Sequence, residues 1–245
     1  RLSERVSKNE MKGMRLNQFI AHAGISSRRE ADELIKAGLV KVNGTIILEM
    51  GYRVKDNDTV KFNNETIRSE TKRYVLLNKP KDFLTSTNDP RKKHVYSLIE
   101  TACKERIYPI GRLDKLTSGL LLFTNDGEMV KRLTNPKKPI KKIYHITLDK
   151  NLKSNDLKAI SEGIVLDGYK VQVDTISYVQ NAPKKEVGIE LSFGRNNTLK
   201  NVFLQLGYKV IKQDLVFFAG LTKKDIPRGR YRLLSQKEVA MLKMI

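Results

Sequence analysis

The stretch GRLDKLTSGLLLFTNDG, residues 111–127, joins a polar turn to a hydrophobic run. The apolar residues 120–123 predict a buried strand, and the Asn-Asp-Gly sequence at 125–127 predicts a turn into a helix. Asp114 is the single acidic residue between the Gly-Arg turn and this strand. The stretch therefore predicts a carboxylate at the point where a buried strand begins.

Asp114 has two interpretations. Aspartate is a frequent turn and capping residue, and residues 111–119 could form an ordinary polar loop. A carboxylate at the mouth of a sheet can also act as a nucleophile or as a base. Arg112 and Lys115 flank Asp114, and nearby cations favour the charged form of a carboxylate.

The composition of the chain indicates a globular protein with an anionic partner. The 245 residues are 40% hydrophobic, which is sufficient for a substantial core. Lys and Arg number 47 against 27 Asp and Glu, a formal net charge of +20. Nucleic acid and anionic membranes both attract such a charge. Because the apolar runs are far shorter than the roughly 20 residues of a membrane span, nucleic acid is favoured.

The sequence lacks the motifs that several classes of protein function require. The polar N-terminal segment has no apolar signal region, so a cytoplasmic protein is expected. Cys103 is the single cysteine, and the three histidines are scattered without metal-ligand spacing. Neither a phosphate-binding P-loop nor a dinucleotide-binding glycine motif is present. We therefore expect no metal, no nucleotide cofactor and no other cofactor.

The N-terminal part predicts a compact module over residues 14–62. RLNQFIAHAG, residues 15–24, has helical apolar spacing, and Ser27 and Glu30 predict a capping box at the start of a second helix. Asn43-Gly44 predicts a tight hairpin between two short strands. Its surface cations are candidates for RNA binding, although a solvated helix face explains them equally well. The candidates are Arg15, Arg28, Arg29 and Lys41.

The remaining boundaries follow from polarity and periodicity. We expect a flexible basic tail over residues 1–13, a polar linker over residues 63–73, and a larger domain over residues 74–245. In the larger domain, strand-like runs alternate with short helices, which predicts an α+β fold with a mostly antiparallel sheet.

The stretch at 111–127 resembles the signature loop of pseudouridine synthases, in the form typical of the RsuA/RluB/RluF family that modifies ribosomal RNA. RLNQFIAHAGISSRREADELIKAGLVKVNG, residues 15–44, is similar to the alpha-L RNA-binding motif of that family. LLNKPKDFLTS, KKIYHITL, LGYKV and IPRGRYRLLSQKEV resemble further segments of its catalytic domain.

The resemblance implies roles for particular residues. Asp114 would be the catalytic aspartate, Arg112 would occupy the space left by a flipped base, and Tyr144 would lie against the target uracil. Lys79 and Arg195 fall in matching segments and are predicted to contact RNA. Whether Asp114 attacks the sugar or removes a ribose proton stays open.

A second family signature is only partly kept. The family pattern Gly-Arg-Asn-Arg-Gln-Ile-Arg-Arg-Met-Phe corresponds to GRNNTLKNVF at residues 194–203, where Asn197, Thr198 and Asn201 replace arginine, glutamine and arginine. Lys200 falls where the family keeps the cation that pairs with the aspartate. Lysine supplies the charge without the bidentate fork of arginine. The segment also fits an amphipathic helix with Leu199 and Phe203 in the core.

The leading hypothesis is a pseudouridine synthase that acts on structured ribosomal RNA, with the large subunit favoured and tRNA as a further option. It would act as a monomer. A non-catalytic RNA-binding or ribosome-assembly protein of the same fold is the alternative. A DNA-binding regulator would leave the stretch at 111–127 unexplained.

Overall fold

The computed structural model describes residues 13–68, 70–85, 91–192 and 198–245. The chain divides into two compact units, Arg1–Lys72 and Arg73–Ile245. The division agrees with the two domains expected from the sequence, and each unit has its own hydrophobic core.

The described residues of the N-terminal unit form two helices and two small sheets. The helices are α1 (Leu16–His22) and α2 (Arg28–Lys36). The strands are β1 (Met14–Arg15), β2 (Val40–Val42), β3 (Thr45–Ile46), β4 (Arg53–Val54), β5 (Val60–Phe62) and β6 (Glu65–Ile67). One sheet has the order β3-β2-β5-β6, and β1 pairs with β4.

The local signals of the sequence are confirmed in this unit. The predicted capping box begins α2, with the hydroxyl of Ser27 accepting from the backbone of Glu30 and the carboxylate of Glu30 accepting from the backbone of Ser27. Asn43 and Gly44 have φ values of 51° and 83°, which is the geometry of a tight hairpin turn.

The predicted linker over residues 63–73 is wrong for its first half. Asn63 and Asn64 form a turn with positive φ, and Glu65–Ile67 continues the sheet as β6. Asparagine tolerates this backbone region better than most residues, so a polar pair makes a hairpin turn here. The segment was predicted to be a linker because it has few apolar residues, but it contains a two-residue turn followed by an edge strand.

The C-terminal unit is built around one large sheet. Its strands are β7 (Tyr74–Lys79), β8 (Tyr108–Pro109), β9 (Thr117–Thr124), β10 (Lys142–Leu148), β11 (Ile164–Leu166), β12 (Tyr169–Val171), β13 (Thr175–Tyr178), β14 (Glu186–Leu191), β15 (Val210–Phe218), β16 (Leu221–Thr222) and β17 (Tyr231–Leu233). Its helices are α3 (Tyr96–Ile99), α4 (Gly127–Leu133), α5 (Ser154–Glu162), α6 (Thr198–Gln205) and α7 (Gln236–Lys243). The main strand order is β13-β14-β10-β15-β9-β7-β17, and β11 and β12 form a separate hairpin.

The pairing in the large sheet is antiparallel, as expected, except between β9 and β15, within the described part of the chain. These two strands run parallel, with Thr117 opposite Gln213 and Gly119 opposite Leu215. A Cβ at Gly119 would lie 2.2 Å from the carbonyl oxygen of Leu215, so a side chain there would force the strands apart. Because the strands are parallel, their N-terminal ends meet at the same edge of the sheet.

The hydrophobic run of the opening stretch forms the centre of the core. Residues 120–123 are all buried in β9, which lies between β7 and β15. A strand covered on both faces is a continuous apolar run rather than an alternating one. Within the described residues, no helix has the length and hydrophobicity that crossing a membrane requires.

Candidate active site

Asp114 lies three residues before β9 and is held by the backbone of its own loop. Its Oδ1 atom accepts hydrogen bonds from the backbone N–H groups of Leu116 at 3.0 Å and Thr117 at 2.7 Å. Its Oδ2 atom has no hydrogen-bond or ion-pair partner among the described residues. The loop thus fixes the carboxyl group through one oxygen and leaves the other available.

A buried lysine, Lys79, holds the same loop through hydrogen bonds to its backbone carbonyl oxygens. The side chain of Lys79, the last residue of β7, is fully buried. Its Nζ atom donates to the carbonyl oxygens of Pro80 at 3.2 Å, Asp114 at 3.0 Å and Thr117 at 2.6 Å. Burial lowers the pKa of Lys79 to about 8, against the opposing attraction of Asp114 and Asp82.

The position of Lys79 corrects its predicted role. RNA phosphates cannot reach an ammonium group that is closed from solvent and already donates three hydrogen bonds. The residue type and the neighbouring proline fit the predicted RNA contact, but β7 lies inside the sheet between β9 and β17, and both of its faces are buried from Val75 to Lys79. Lys79 is an internal support of the Asp114 loop.

Asp114 opens into a cleft of about 270 Å³, which we call the Asp114 cleft. The wall residues of the cleft are Lys81, Asp114, Leu116, Thr117, Lys200, Val210, Ile211 and Gln213. They come from the loop after β7, the start of β9, helix α6 and the start of β15. The parallel pairing of β9 and β15 therefore brings together residues that are about a hundred positions apart in sequence.

Tyr144 lies on β10, directly opposite Leu215 of β15. Its side chain is 3% exposed. Burial, together with the negative charge of Asp114, raises the pKa of Tyr144 to about 12. Side chains directly opposite each other on neighbouring strands share a face, and Leu215 shares its face with Gln213 two positions earlier. Tyr144 thus lies on the same face of the sheet as the Asp114 cleft.

Helix α6 presents Lys200 to the cleft. Leu199, Val202 and Phe203 are buried, which confirms the amphipathic pattern of the segment, while Lys200 is exposed. Lys200 shares the cleft with Asp114, but no ion pair within 4.0 Å joins the two in the described structure. The cation and the carboxylate are neighbours across an open space that a substrate can enter.

Gln213 is a cleft residue that the sequence interpretation missed. Its side chain is 7% exposed and lines the cleft opposite Thr117. A primary amide offers both a donor and an acceptor, which is the pattern needed to pair with the edge of a nucleobase. The signal in the sequence was a lone glutamine in the otherwise strand-like run of β15.

A charged network fixes the opposite face of the same strands. Asp214 accepts from both Nη atoms of Arg228, at 3.0 and 3.2 Å, and from Ser118 of β9 at 3.0 Å. Lys223 also donates to Asp214. Burial by itself would raise the pKa of Asp214, but the hydrogen bonds from Arg228 and Lys223 outweigh it and lower the pKa. Arg228 also donates to Asn78 of β7, so the network ties three strands together below the cleft.

The predicted RNA contacts are distributed over both units. Arg112 is exposed two residues before Asp114, and Arg195 lies outside the described residues. In the N-terminal unit, Arg15, Arg28 and Arg29 are exposed, the last two in the first turn of α2. Lys41 is half-buried and donates to Asn64 at 3.0 Å.

Within the described residues, no group of three or more His, Cys, Asp or Glu side chains is arranged to hold a metal ion. Cys103 is half-buried, forms no disulfide and donates through its Sγ atom to the carbonyl oxygen of Glu105 at 3.5 Å.

Comparison with known proteins identifies both units. Residues 73–205 match the RNA pseudouridylate synthase family model, and residues 14–60 match the S4 domain model. The ribosomal large subunit pseudouridine synthase B of Bacillus subtilis is 36% identical over 94% of this chain and 96% of its own length. The dual-specificity RNA pseudouridine synthase RluF of Escherichia coli K12 is 31% identical over 92% of this chain and 77% of its own.

A solved structure supports the same relationship. The crystal structure of a pseudouridylate synthase superimposes with a TM-score of 0.64 at 30% identity, covering 94% of this chain and 99% of that one. The expected resemblance is thus confirmed at the level of sequence and fold. With an S4 domain followed by the synthase domain, the chain belongs to the RsuA/RluB/RluF family of RNA pseudouridine synthases.

Proposed function

We propose that this protein converts a uridine of ribosomal RNA, with the large subunit as the favoured source, to pseudouridine at the Asp114 cleft. The observation that carries the proposal is the state of the carboxyl group. One oxygen of Asp114 is anchored by two backbone N–H groups, and the other has no partner among the described residues at the wall of an open cleft.

The reaction is an isomerisation and balances without a redox partner. The bond from N1 of uracil to C1′ of the ribose breaks, the base rotates, and a bond from C5 to C1′ forms. The proton on C5 is lost, and N1 carries a proton in the product. An accessible carboxylate oxygen serves either route to bond cleavage, by attack on C1′ or by removal of a neighbouring ribose proton.

Tyr144, which lies on the same face of the sheet, and the cleft residues Gln213 and Lys200 would hold the detached base. Tyr144, with a pKa of about 12, keeps its hydroxyl proton at neutral pH and offers a neutral aromatic ring beside Asp114. Gln213 has the donor and acceptor to pair with N3–H and a carbonyl of uracil. Lys200 supplies a positive charge that an ionised Asp114 and a nearby phosphate can share.

The target uridine must leave its stack before it can reach the cleft. Flipping costs a few kcal/mol, which contacts in the pocket and a replacing side chain offset. Arg112, exposed beside the Asp114 loop, is the residue we assign to the vacated space. The exposed arginines of the S4 domain would add phosphate contacts. The protein would act as a monomer, in the cytoplasm, on ribosomal RNA during ribosome biogenesis.

The test compares the wild-type protein with Asp114→Asn on an unmodified ribosomal RNA transcript labelled with tritium at C5 of uridine. Because asparagine keeps the Oδ1 acceptor for Leu116 and Thr117, the loop and the RNA affinity should persist. We expect tritium release to fall by at least about 10³-fold.

Asp82→Asn is the matched control, since it removes a carboxylate close to the same loop without touching the cleft. Asparagine also tolerates the positive φ of Asp82, so the backbone should be unchanged. Equal turnover by Asp114→Asn and wild type would refute the catalytic role. RNA binding without any turnover by the wild type would favour the non-catalytic alternative.

A further inference from the structure

The C-terminal unit has a second cavity, of about 320 Å³, on the same face of the sheet as the Asp114 cleft. We call it the Lys142 cavity. Leu215 and Phe218 of β15 line it, while Gln213 of the same strand lines the Asp114 cleft. A bulge between Ile143 and Tyr144 in the pairing of β10 with β15 lets Leu215 and Phe218 both face this cavity.

The two cavities flank the catalytic loop. Arg112 and Leu113 line the Lys142 cavity, and Asp114 lines the cleft. Consecutive Cα atoms are about 3.8 Å apart, so the two walls are separated by about the length of one or two residues. A nucleic acid strand with one nucleotide at Asp114 would have an adjacent nucleotide within reach of the Lys142 cavity.

The lining of the cavity has the chemistry of a nucleotide site. Its apolar side chains include Leu121, Pro136, Ile140 and Phe218, which offer surfaces for a nucleobase. Lys142 and Arg112 are its cations, and no acidic residue lines it in the described part of the chain.

Lys142 is the decisive side chain. It is half-buried, and no hydrogen bond or ion pair to it exists among the described residues. Burial lowers the pKa of Lys142, and no carboxylate in the described part of the chain opposes the shift. A desolvated ammonium without a counter-ion gains most from an anionic ligand. The neighbouring Lys141 differs, since its Nζ pairs with Glu190 at 3.0 Å.

We propose that the Lys142 cavity binds an unpaired nucleotide adjacent to the target uridine, with the base against the apolar wall and its phosphate on Lys142. The inference rests on the proposed function for the position of the target. The cavity would make recognition depend on a second unstacked base, which selects an RNA site by its local shape as well as by the uridine.

The first experiment does not depend on catalysis. The affinity of wild type, Lys142→Met and Lys141→Met for an unmodified large-subunit ribosomal RNA transcript is measured by filter binding over a series of salt concentrations. Loss of one phosphate contact should flatten the plot of log affinity against log salt by about 0.7 for Lys142→Met. Lys141→Met should keep the wild-type slope. Equal slopes for wild type and Lys142→Met would overturn the proposal.

The second experiment identifies the base. Short stem-loops carrying the modified uridine receive an abasic ribose at each flanking nucleotide in turn, and binding is measured in the Asp114→Asn background. We expect one position at which the abasic ribose weakens binding by about tenfold. The same position should have a smaller effect in Lys142→Met, because base and phosphate share one site. No such position, or an equal effect in both proteins, would overturn the nucleotide site while leaving tritium release by the wild type intact. Absence of tritium release from the wild type would instead overturn the proposed function.

Discussion

Lys79→Met tests whether the hydrogen bonds of this buried lysine position the loop that carries Asp114. The substitution removes a buried ammonium that donates to the carbonyl oxygens of Pro80, Asp114 and Thr117. Methionine has similar length and an apolar end, so the volume is largely kept. The change therefore separates the hydrogen bonds of Lys79 from its packing.

Two opposing terms set the effect on stability. The difference between a pKa of about 8 and the ordinary 10.5 corresponds to a net cost of about 3 kcal/mol at neutral pH, in which burial outweighs the attraction of Asp114 and Asp82, and the variant recovers this cost. Three carbonyl oxygens lose a donor, at roughly 1 to 3 kcal/mol each. The three losses total roughly 3 to 9 kcal/mol, so after the recovery we expect a net loss of about 3 kcal/mol in unfolding free energy.

The effect on activity should be larger than the effect on stability. The loop that carries Asp114 would lose its hydrogen bonds to Lys79. A displacement of the catalytic carboxyl group by about 1 Å lowers the rate roughly a hundredfold. We expect kcat for tritium release to fall by about that factor while the affinity for RNA is unchanged, because RNA does not contact Lys79.

The pH dependence supplies a second measurement. In the wild type, kcat should fall above pH of about 8, where the ammonium of Lys79 loses a proton and one of its hydrogen bonds. The stability term has the opposite sign. Since the folded pKa lies below the unfolded value of 10.5, the folded state binds fewer protons between these values, and the contribution of Lys79 to the unfolding free energy rises with pH. Lys79→Met should show neither trend.

Lys115→Met is the control, because it removes an exposed cation from the same loop, and kcat is compared at saturating RNA. The reasoning fails if Lys79→Met keeps the wild-type kcat. It also fails if the variant loses RNA affinity with kcat unchanged, since that result would restore the predicted RNA contact.

Three further predictions concern the cleft and the S4 domain. Lys200→Ala should lower kcat/KM by about tenfold or more and Lys200→Arg should retain most of it, because the position supplies charge beside Asp114; equal losses would contradict this role. Replacing the target uridine by N3-methyluridine should slow the wild type by about tenfold in single-turnover assays. The same replacement should have little further effect on Gln213→Leu, because that variant has already lost the hydrogen bond to N3. Additive effects of the two changes would show that Gln213 does not recognise the base. Double substitution of Arg28 and Arg29 by alanine should reduce the salt slope of RNA binding by up to about 2 at unchanged single-turnover rate, because phosphate contacts set affinity rather than chemistry; an unchanged slope would support the solvated-face interpretation.

The local structure of the chain followed from the sequence. The helix signals at Ser27 and Glu30, the Asn43-Gly44 turn and the apolar run at 120–123 each depend on neighbouring residues, so their outcome was predictable. The linker prediction for residues 63–73 was wrong in its first half because an edge strand carries few apolar residues and its pairing partner lies outside the segment.

The sequence by itself determined the two-unit division, the α+β class, the family and the candidacy of Asp114, because all four rest on composition, local signals or dense motifs. Only the tertiary structure decided that Lys79 faces inward, that Gln213 joins the Asp114 cleft and that Lys142 lines a second cavity. The burial of Lys79 depends on the covering of both faces of β7, whereas the positions of Gln213 and Lys142 depend on strand register and on the parallel pairing of β9 with β15. Successive side chains along a strand point to opposite faces of the sheet, so a shift of one residue in register would place each side chain on the other face. Contacts between segments that are distant in sequence set the register, and no local sequence pattern contains this information.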